Sequence, residues 1–423
     1  MRKRRTGSLI FALALTAAGV FSSPEQTWAA DGGDGWKFAA ADSFKRAESS
    51  PESRQLPFVQ GLSYYNRQWA LNNNGNLRRV SWEPQMISEE FTSTPDSSSV
   101  LHRRYQWGEQ VTNSLAGIDI RAEEAWQVYE QLPERRQVTV AIIDSGVDIN
   151  HPDLAGAIWV NTDEIPGDGL DNDGNGYVDD DNGWNFYENN NQVTAEPGEN
   201  HGTHGAGTIA GAWDGQGITG IADGNYVKLM ILKVLNSQEG QGVAENVKAA
   251  IRYARDNGAD ICNISMGTSD YDPELEALIA ESPMLFVVSA GNGDWTGRGS
   301  DIDQNPIYPA AYPCENIISV ANLMFDGSLD ETSNYGAVGV DIAAPGTYIL
   351  STIPEGYAYL SGTSMSAPMV TGTAALVYSA RTDLDLMGVK QAILNSAVPL
   401  EGLAGRMVSG GMLNAYGAIN YGR

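Results

Sequence analysis

An aspartate, a histidine and a serine, each set among glycines or small residues, follow one another along this 423-residue chain as Asp144, His201 and Ser364. They stand in Asp144-Ser145-Gly146, His201-Gly202-Thr203-His204-Gly205 and Gly362-Thr363-Ser364-Met365-Ser366-Ala367-Pro368. A serine hydroxyl is a poor nucleophile at neutral pH. It becomes one when an imidazole takes its proton and a carboxylate orients that imidazole and stabilises its charge. Small neighbours let such side chains sit in a cleft with backbone close behind. A serine at a helix start also aims its own N–H outward, a donor for a developing oxyanion; a plain helix N-cap is the alternative. Of the other histidines, His102 and His151 read as surface or structural groups, and His204, one turn beyond His201, as part of the packing. A zinc site on His201-x-x-His204 lacks the glutamate such a helix needs.

The elements that must hold these residues are strands and helices in alternation. Near-continuous apolar runs at 138–143, 227–234, 261–265, 285–290 and 317–321 are of the kind buried on both faces of a parallel sheet. Helical periodicity appears at 244–257, through Val247, Ala250, Ile251 and Ala254 with Gly258 as a stop, and again at 371–380 and 386–396. The fold class predicted is α/β, a doubly wound, mostly parallel twisted sheet flanked by helices. Ligands gather at the carboxyl ends of such strands. Asp144 ends one run and Asn292 follows another.

These segments resemble the subtilisin-like serine proteases, over about residues 116–418. The order Asp, His, Ser is that family's, and differs from the chymotrypsin and α/β-hydrolase orders. Gly362-Thr363-Ser364-Met365-Ser366 also departs from the Gly-x-Ser-x-Gly elbow of the α/β-hydrolases. The resemblance implies a serine endopeptidase in which Asp144 orients His201, His201 deprotonates Ser364, and Asn292 is an oxyanion donor. An Asn-Gly turn after a strand is the alternative reading of Asn292. Peptide substrates would pair with the edges Ser265-Met266-Gly267 and Gly240-Gln241-Gly242, while Ser289-Ala290-Gly291 walls the primary side-chain pocket and Ile307 lies near its floor. Gly205 and Met369 stand where the family more often has Val and His, which bears on packing. An idle binding module and a serine esterase on the same fold are the competing readings.

Between Asp144 and His201 lies an acidic Gly/Asn-rich segment. Asp171, Asp173 and Asn175 fall at positions 1, 3 and 5 of an EF-hand-like loop, with Gly176 at 6, the Tyr177 carbonyl at 7 and Asp179 at 9. Asn182 replaces the bidentate glutamate at 12, and a plain acidic turn is the alternative. The expected cofactor is structural Ca²⁺. By resemblance, Asp153 and Asp214, with carbonyls near Gln216, form a second site.

Arg2-Lys3-Arg4-Arg5, an apolar run over residues 9–21 and small residues at 27–30 read as a signal peptide over 1–30, hence a secreted product; a retained anchor is the alternative. The formal net charge of −27 argues against nucleic acid and anionic membranes as partners, leaving protein or peptide substrates. No stable membrane insertion is expected, and a monomer is. Residues 31–112, rich in Ser, Asn, Glu and Arg, form an N-terminal extension, a possible pro-region with an insertion, ahead of a catalytic domain over 113–423. Within it, residues 68–73 resemble a segment of the mature fold in relatives, and Arg103-Arg104 offers a basic site for nicking. Cys262, in an apolar run, reads as an inert packed thiol; a bridge to Cys314 is the alternative.

Overall fold

The computed structural model describes residues 10–12, 55–93, 99–196, 198–236, 241–293 and 298–423. The signal-peptide reading therefore lies outside the described residues apart from 10–12, as do the first part of the extension and Gly240. Nine strands build the central sheet: β1 (Val138–Asp144), β2 (Gly183–Asn185), β3 (Val227–Lys233), β4 (Ile261–Ile264), β5 (Leu285–Ser289), β6 (Ile317–Leu323), β7 (Ile342–Pro345), β8 (Val398–Pro399) and β9 (Gly411–Met412). Their spatial order is β8-β9-β7-β6-β5-β4-β1-β3-β2, parallel throughout except for the β8–β9 pair. The chain thus starts in the interior of the sheet, fills one side with β2 and β3, then crosses to the other side from β4 onward. The strand order reverses beside β1, whose last residue is Asp144.

Among the described residues seven α-helices flank the sheet: α1 (Ala122–Gln131), α2 (His201–Ala210), α3 (Ala244–Asp256), α4 (Pro273–Glu281), α5 (Thr363–Ala380), α6 (Leu386–Asn395) and α7 (Ala415–Ile419). Successive residues of a strand point to opposite faces, and β1 uses both. Val138, Val140 and Ile142 enter the core shared with α1, α2, α5, α6 and α7, while Ala141 and Ile143 enter the core shared with α3 and α4. This two-sided burial explains the unbroken apolar runs in the sequence.

Helix α5 begins eight residues before the periodic stretch at 371–380. It is buried on nearly every side, so no polar face exists to create a helical period. The short strands β2, β7, β8 and β9 escaped sequence reading because two to four residues carry no period. The hairpin Ile349–Ile353 with Gly356–Leu360, which packs against α2, escaped it as well.

Trp69, Ala70 and Leu71 are buried in the first core, and Trp69 Nε1 donates to the Thr347 carbonyl at 3.0 Å. The chain leaves this core at Leu77 and returns at Ser114, the two joined by Ser114 N to Leu77 O and Leu77 N to Ser114 Oγ, both 2.9 Å. Between them runs an antiparallel hairpin, Arg78–Ser93 with Ser99–Asn113, irregular between Met86 and Ser88. Arg103 and Arg104 pair with Glu89 and Ser88 in this ladder, so the basic pair lies in a strand. The alternative of a Cys262–Cys314 bridge is also overturned. Both thiols are free, with Cys262 Sγ 3.6 Å from Met284 Sδ in the core and Cys314 against the Glu276 carbonyl. No helix among the described residues is long and apolar enough to cross a membrane.

Candidate active site

Asp144 and His201 meet because two backbones come very close. A Cβ on Gly202 would stand 2.2 Å from the Gly146 carbonyl oxygen, so only glycine lets the start of α2 seat against the Asp144-Ser145-Gly146 turn. Ser145 Oγ accepts from Gly202 N at 3.2 Å and clamps that approach. His201 Nδ1 then lies 2.8 and 2.9 Å from the two Asp144 carboxylate oxygens, and both residues are buried. With its Nδ1 proton held by the carboxylate, the neutral imidazole carries its lone pair on Nε2. Nε2 is buried with no hydrogen-bond partner among the described residues.

Ser364 is the second residue of α5. One turn on, Pro368 faces Gly205, itself one turn beyond His201; a Cβ at Gly205 would be 3.5 Å from Pro368 Cγ. Residues four apart share a helix face, so His201 and Ser364 occupy the same two facing stripes one turn earlier. Pro368 also has no N–H to offer the Ser364 carbonyl. Ser265 Oγ takes that place, donating to Ser364 O at 3.1 Å, while Ser364 Oγ donates to Ser265 O at 3.1 Å. Behind Ser265 the chain continues: Asn263 Nδ2 donates to Ser265 Oγ at 3.1 Å and Thr371 Oγ1 to Asn263 Oδ1 at 2.8 Å. Neither Asn263 nor Thr371 stood out in the sequence; a lone polar residue in the apolar run 261–264 was the available signal.

Asn292 caps α5 from outside it. Its Oδ1 accepts Thr363 N at 2.8 Å and Thr363 Oγ1 at 3.0 Å. A backbone N–H can only donate, so the amide oxygen is fixed toward the helix and Nδ2 turns the other way, past Gly362. Gly362 has φ +143°, a conformation other residues rarely adopt, and a Cβ there would lie 3.2 Å from Asn292 Nδ2. Asn334 holds this loop through Nδ2 to Ala290 O and Oδ1 from Gly293 N, at 3.0 and 3.1 Å. At the start of α5 the first N–H groups, Ser364's among them, lack intrahelical acceptors. One cleft at the carboxyl ends of β1, β4 and β5 therefore holds an oriented imidazole, a hydroxyl, an amide and a helix N-terminus, a set suited to nucleophilic attack on an acyl group.

The expected substrate-binding residues divide. Ser265, Met266, Ser289 and Ala290 are buried beside this cleft, Ser265 and Met266 continuing β4, Ser289 ending β5 and Ala290 continuing it, with Gly267 and Gly291 next in line. Gly242 lies on the short strand Gln241–Val243, which pairs antiparallel with Leu235–Asn236 and with Ile10–Ala12. Of the other three histidines, His204 and His151 are structural. His204 Nε2 bonds Ile349 O at 2.9 Å, and burial pulls its pKa down to about 4. His151 Nε2 bonds Gly356 O at 3.1 Å, and burial lowers its pKa also.

The acidic loop folds around carboxylates that sequence spacing only partly identified. Glu164, Asp173 and Asp180 bring ligand oxygens within 4.8 Å of one another. Asp171 instead accepts the backbone N–H groups of Gly174, Asn175 and Gly176, Asn175 Oδ1 accepts Tyr177 N, and Asp179 accepts Gly169 N. Glu164 escapes the spacing because it lies seven residues ahead of the loop, and Asp180 because it falls at position 10, which the EF-hand pattern does not use. Asn175 Nδ2 and Asn161 Nδ2 both bridge Asp173 to Asp180. Burial and the charges of Asp179, Glu164, Asp180 and Asp168 raise the pKa of Asp181, and one of its buried oxygens has no partner. An all-oxygen cluster with surplus negative charge fits a hard divalent cation. At the other expected site, Asp153 is buried, accepts Ile218 N at 2.8 Å and is pushed up to about 6 by burial, while Asp214 closes a turn with Gln216.

A sequence profile described as the Subtilase family matches residues 135–418. The chain is 30% identical to subtilisin-like protease 1 of Plasmodium berghei (strain Anka), over 89% of this chain and 62% of that protein. It is 34% identical to thermitase of Thermoactinomyces vulgaris, over 71% of this chain and 94% of that one. It is also 34% identical to the major intracellular serine protease of Bacillus subtilis (strain 168), over 62% and 73% of the two chains.

Proposed function

The chain belongs to the subtilase family of serine endopeptidases, and on that premise we propose that it hydrolyses peptide bonds through Asp144, His201 and Ser364. The observation that carries this is the buried Asp144–His201 pair at 2.8 Å, with a partnerless Nε2 on the side of α2 that faces α5. The Ser364 hydroxyl swings from Ser265 O to His201 Nε2, gives up its proton and attacks the substrate carbonyl. Asn292 Nδ2 and the Ser364 N–H receive the oxyanion. The imidazolium, held by Asp144, returns its proton to the leaving amine, and water completes hydrolysis of the acyl-enzyme by the same steps. The substrate backbone would lie as an added strand between Ser265-Met266-Gly267 and Gly240-Gln241-Gly242, on the edge of the latter that Ile10–Ala12 holds in the full chain and that removal of residues 1–30 would free, with Ser289-Ala290-Gly291 at the side-chain pocket.

Glu164, Asp173 and Asp180 would hold a calcium ion whose role is structural: it neutralises a loop of like charges. Asp153 and Asp214 support a second site less directly. We also propose that residues 1–30 direct secretion, that the mature domain retains residues 68–73, whose burial supports a place in the core, and that the hairpin over 78–113 is an insertion in it. The test is covalent labelling with a fluorophosphonate, followed by peptide mapping and peptide turnover. Label is expected on Ser364, and Ser364→Ala should lower kcat by on the order of 10⁶, the magnitude known for subtilisin itself. Asn292→Ala should cost roughly 10²–10³ in kcat with KM little changed, again as in subtilisin. Undiminished peptidase activity in Ser364→Ala refutes the mechanism.

A further inference from the structure

We infer that Ile307 fills the primary side-chain pocket of this protease, so that the residue before the scissile bond must be small and uncharged: alanine, serine or glycine. The inference rests on the protease reading just proposed. A Cβ built on Gly267 would stand 2.8 Å from Ile307 Cγ2, and one built on Gly291 would stand 3.6 Å from the same methyl. Gly267 and Gly291 belong to the two segments proposed as the pocket walls. One methyl group therefore reaches both, and occupies the slot an aromatic or long aliphatic side chain would need.

Ile307 is not placed to step aside. The next residue, Tyr308, exchanges two hydrogen bonds with Thr268, N to O at 2.7 Å and O from N at 2.9 Å, which ties the segment to the wall strand itself. The Ile307 carbonyl accepts Ala311 N at 2.8 Å. Tyr308 is stacked on Tyr312 with ring centres 4.7 Å apart, and Tyr271 meets both rings edge-on. A β-branched side chain on a backbone fixed this way has few rotamers to use. Ser265, Met266, Gly267, Ser289, Ala290, Gly291 and Ile307 carry no charge, so nothing on these walls would pair with a basic or acidic side chain.

The test is a peptide series identical except at the residue before the cleaved bond, with alanine, serine, leucine, phenylalanine and lysine compared. Rates are normalised to active enzyme titrated with a fluorophosphonate. Alanine should exceed phenylalanine in kcat/KM by on the order of 10² or more, since even one misfitting carbon in a closed apolar pocket costs about tenfold or more. Ile307→Ala should raise kcat/KM for phenylalanine and leucine at least about tenfold and shrink the alanine preference; Ile307→Val should fall between. A wild type that cleaves after phenylalanine as well as after alanine overturns the inference, as does a preference unmoved in both variants. Absence of label on Ser364 would instead overturn the protease reading beneath it.

Discussion

The ion pair beside the Asp144–His201 couple lends itself to a quantitative test. Lys233 is the cross-strand partner of Asp144, its stem packs against Gly146, and its Nζ lies 2.8 Å from Glu199 Oε2, two residues before His201. Both side chains are at least 95% buried, since their exposures are 5% and 1%. At an effective dielectric of about 20, the attraction across that distance is about 6 kcal/mol. Desolvating each ion costs several kcal/mol, so the pair as a whole contributes little. Removing one partner is different. Lys233→Met leaves a carboxylate in the interior that retains one hydrogen bond, Glu196 N to Oε2 at 3.0 Å, and has a buried Oε1 with none.

The expected loss is about 3–5 kcal/mol, which for a catalytic domain of this size lowers the melting temperature by about 10 °C. Lys233→Met/Glu199→Leu removes both charges, and the exposed Glu196 can turn its N–H to water. The double variant should recover to within about 1–2 kcal/mol of the parent. The measurement is calorimetric melting at fixed free calcium, in a Ser364→Ala background so that autolysis does not set the result. In the active background, Lys233→Met should lower kcat more than it raises KM, because the pair brackets both the strand end that carries Asp144 and the start of α2. A Lys233→Met variant that melts with its parent, or a double variant no better than the single, refutes this reasoning.

Calcium removal should loosen the acidic loop: with free calcium at 100 times Kd, a site formed only in the native state adds about 2.7 kcal/mol. Melting of the Ser364→Ala protein in excess calcium and in chelator checks this, with Glu164→Gln narrowing the difference, and coincident curves would leave the loop a plain turn. His204 should impose an acid limit. Its pKa falls from 6.5 to about 4 on folding because of burial, so the unfolded chain binds the extra proton in that interval. Stability is present above 6.5 and drains as pH falls toward 4, by about 3 kcal/mol in total. Asp153, raised to about 6, acts in the opposite sense, so the effect is read as a difference: unfolding rates of wild type should depend more steeply on pH there than those of His204→Gln, and parallel profiles would exclude it.

The parts of the molecule legible in the sequence were those whose requirement is local. A catalytic side chain next to backbone that must come close leaves glycines beside it, and Gly202, Gly291 and Gly362 are such marks. Parallel strands buried on both faces leave unbroken apolar runs. What escaped was set by distance along the chain. Glu164 and Asp180 join Asp173 only after the loop closes, and Lys233 meets Glu199 only once β3 lies beside β1. In the hairpin of Arg78–Ser93 with Ser99–Asn113, the Ser, Glu and Arg content masks the strands.

Pro368 brings the two kinds of information together. In the sequence it is a proline that the first turns of a helix can tolerate. In the fold its missing N–H releases the Ser364 carbonyl, and the hydroxyl of Ser265, from a strand end about a hundred residues earlier, takes it up. The Ser364 hydroxyl answers to the Ser265 carbonyl. The proposed nucleophile is thus held from both its backbone and its side chain by one residue of the proposed substrate-binding edge. Anything that shifts that edge, a seated peptide included, shifts the hydroxyl as well. On the proposed mechanism, substrate pairing along Ser265-Met266-Gly267 and release of the Ser364 hydroxyl toward His201 would be two parts of one movement, so a hydroxyl resting on a carbonyl is compatible with the proposed attack.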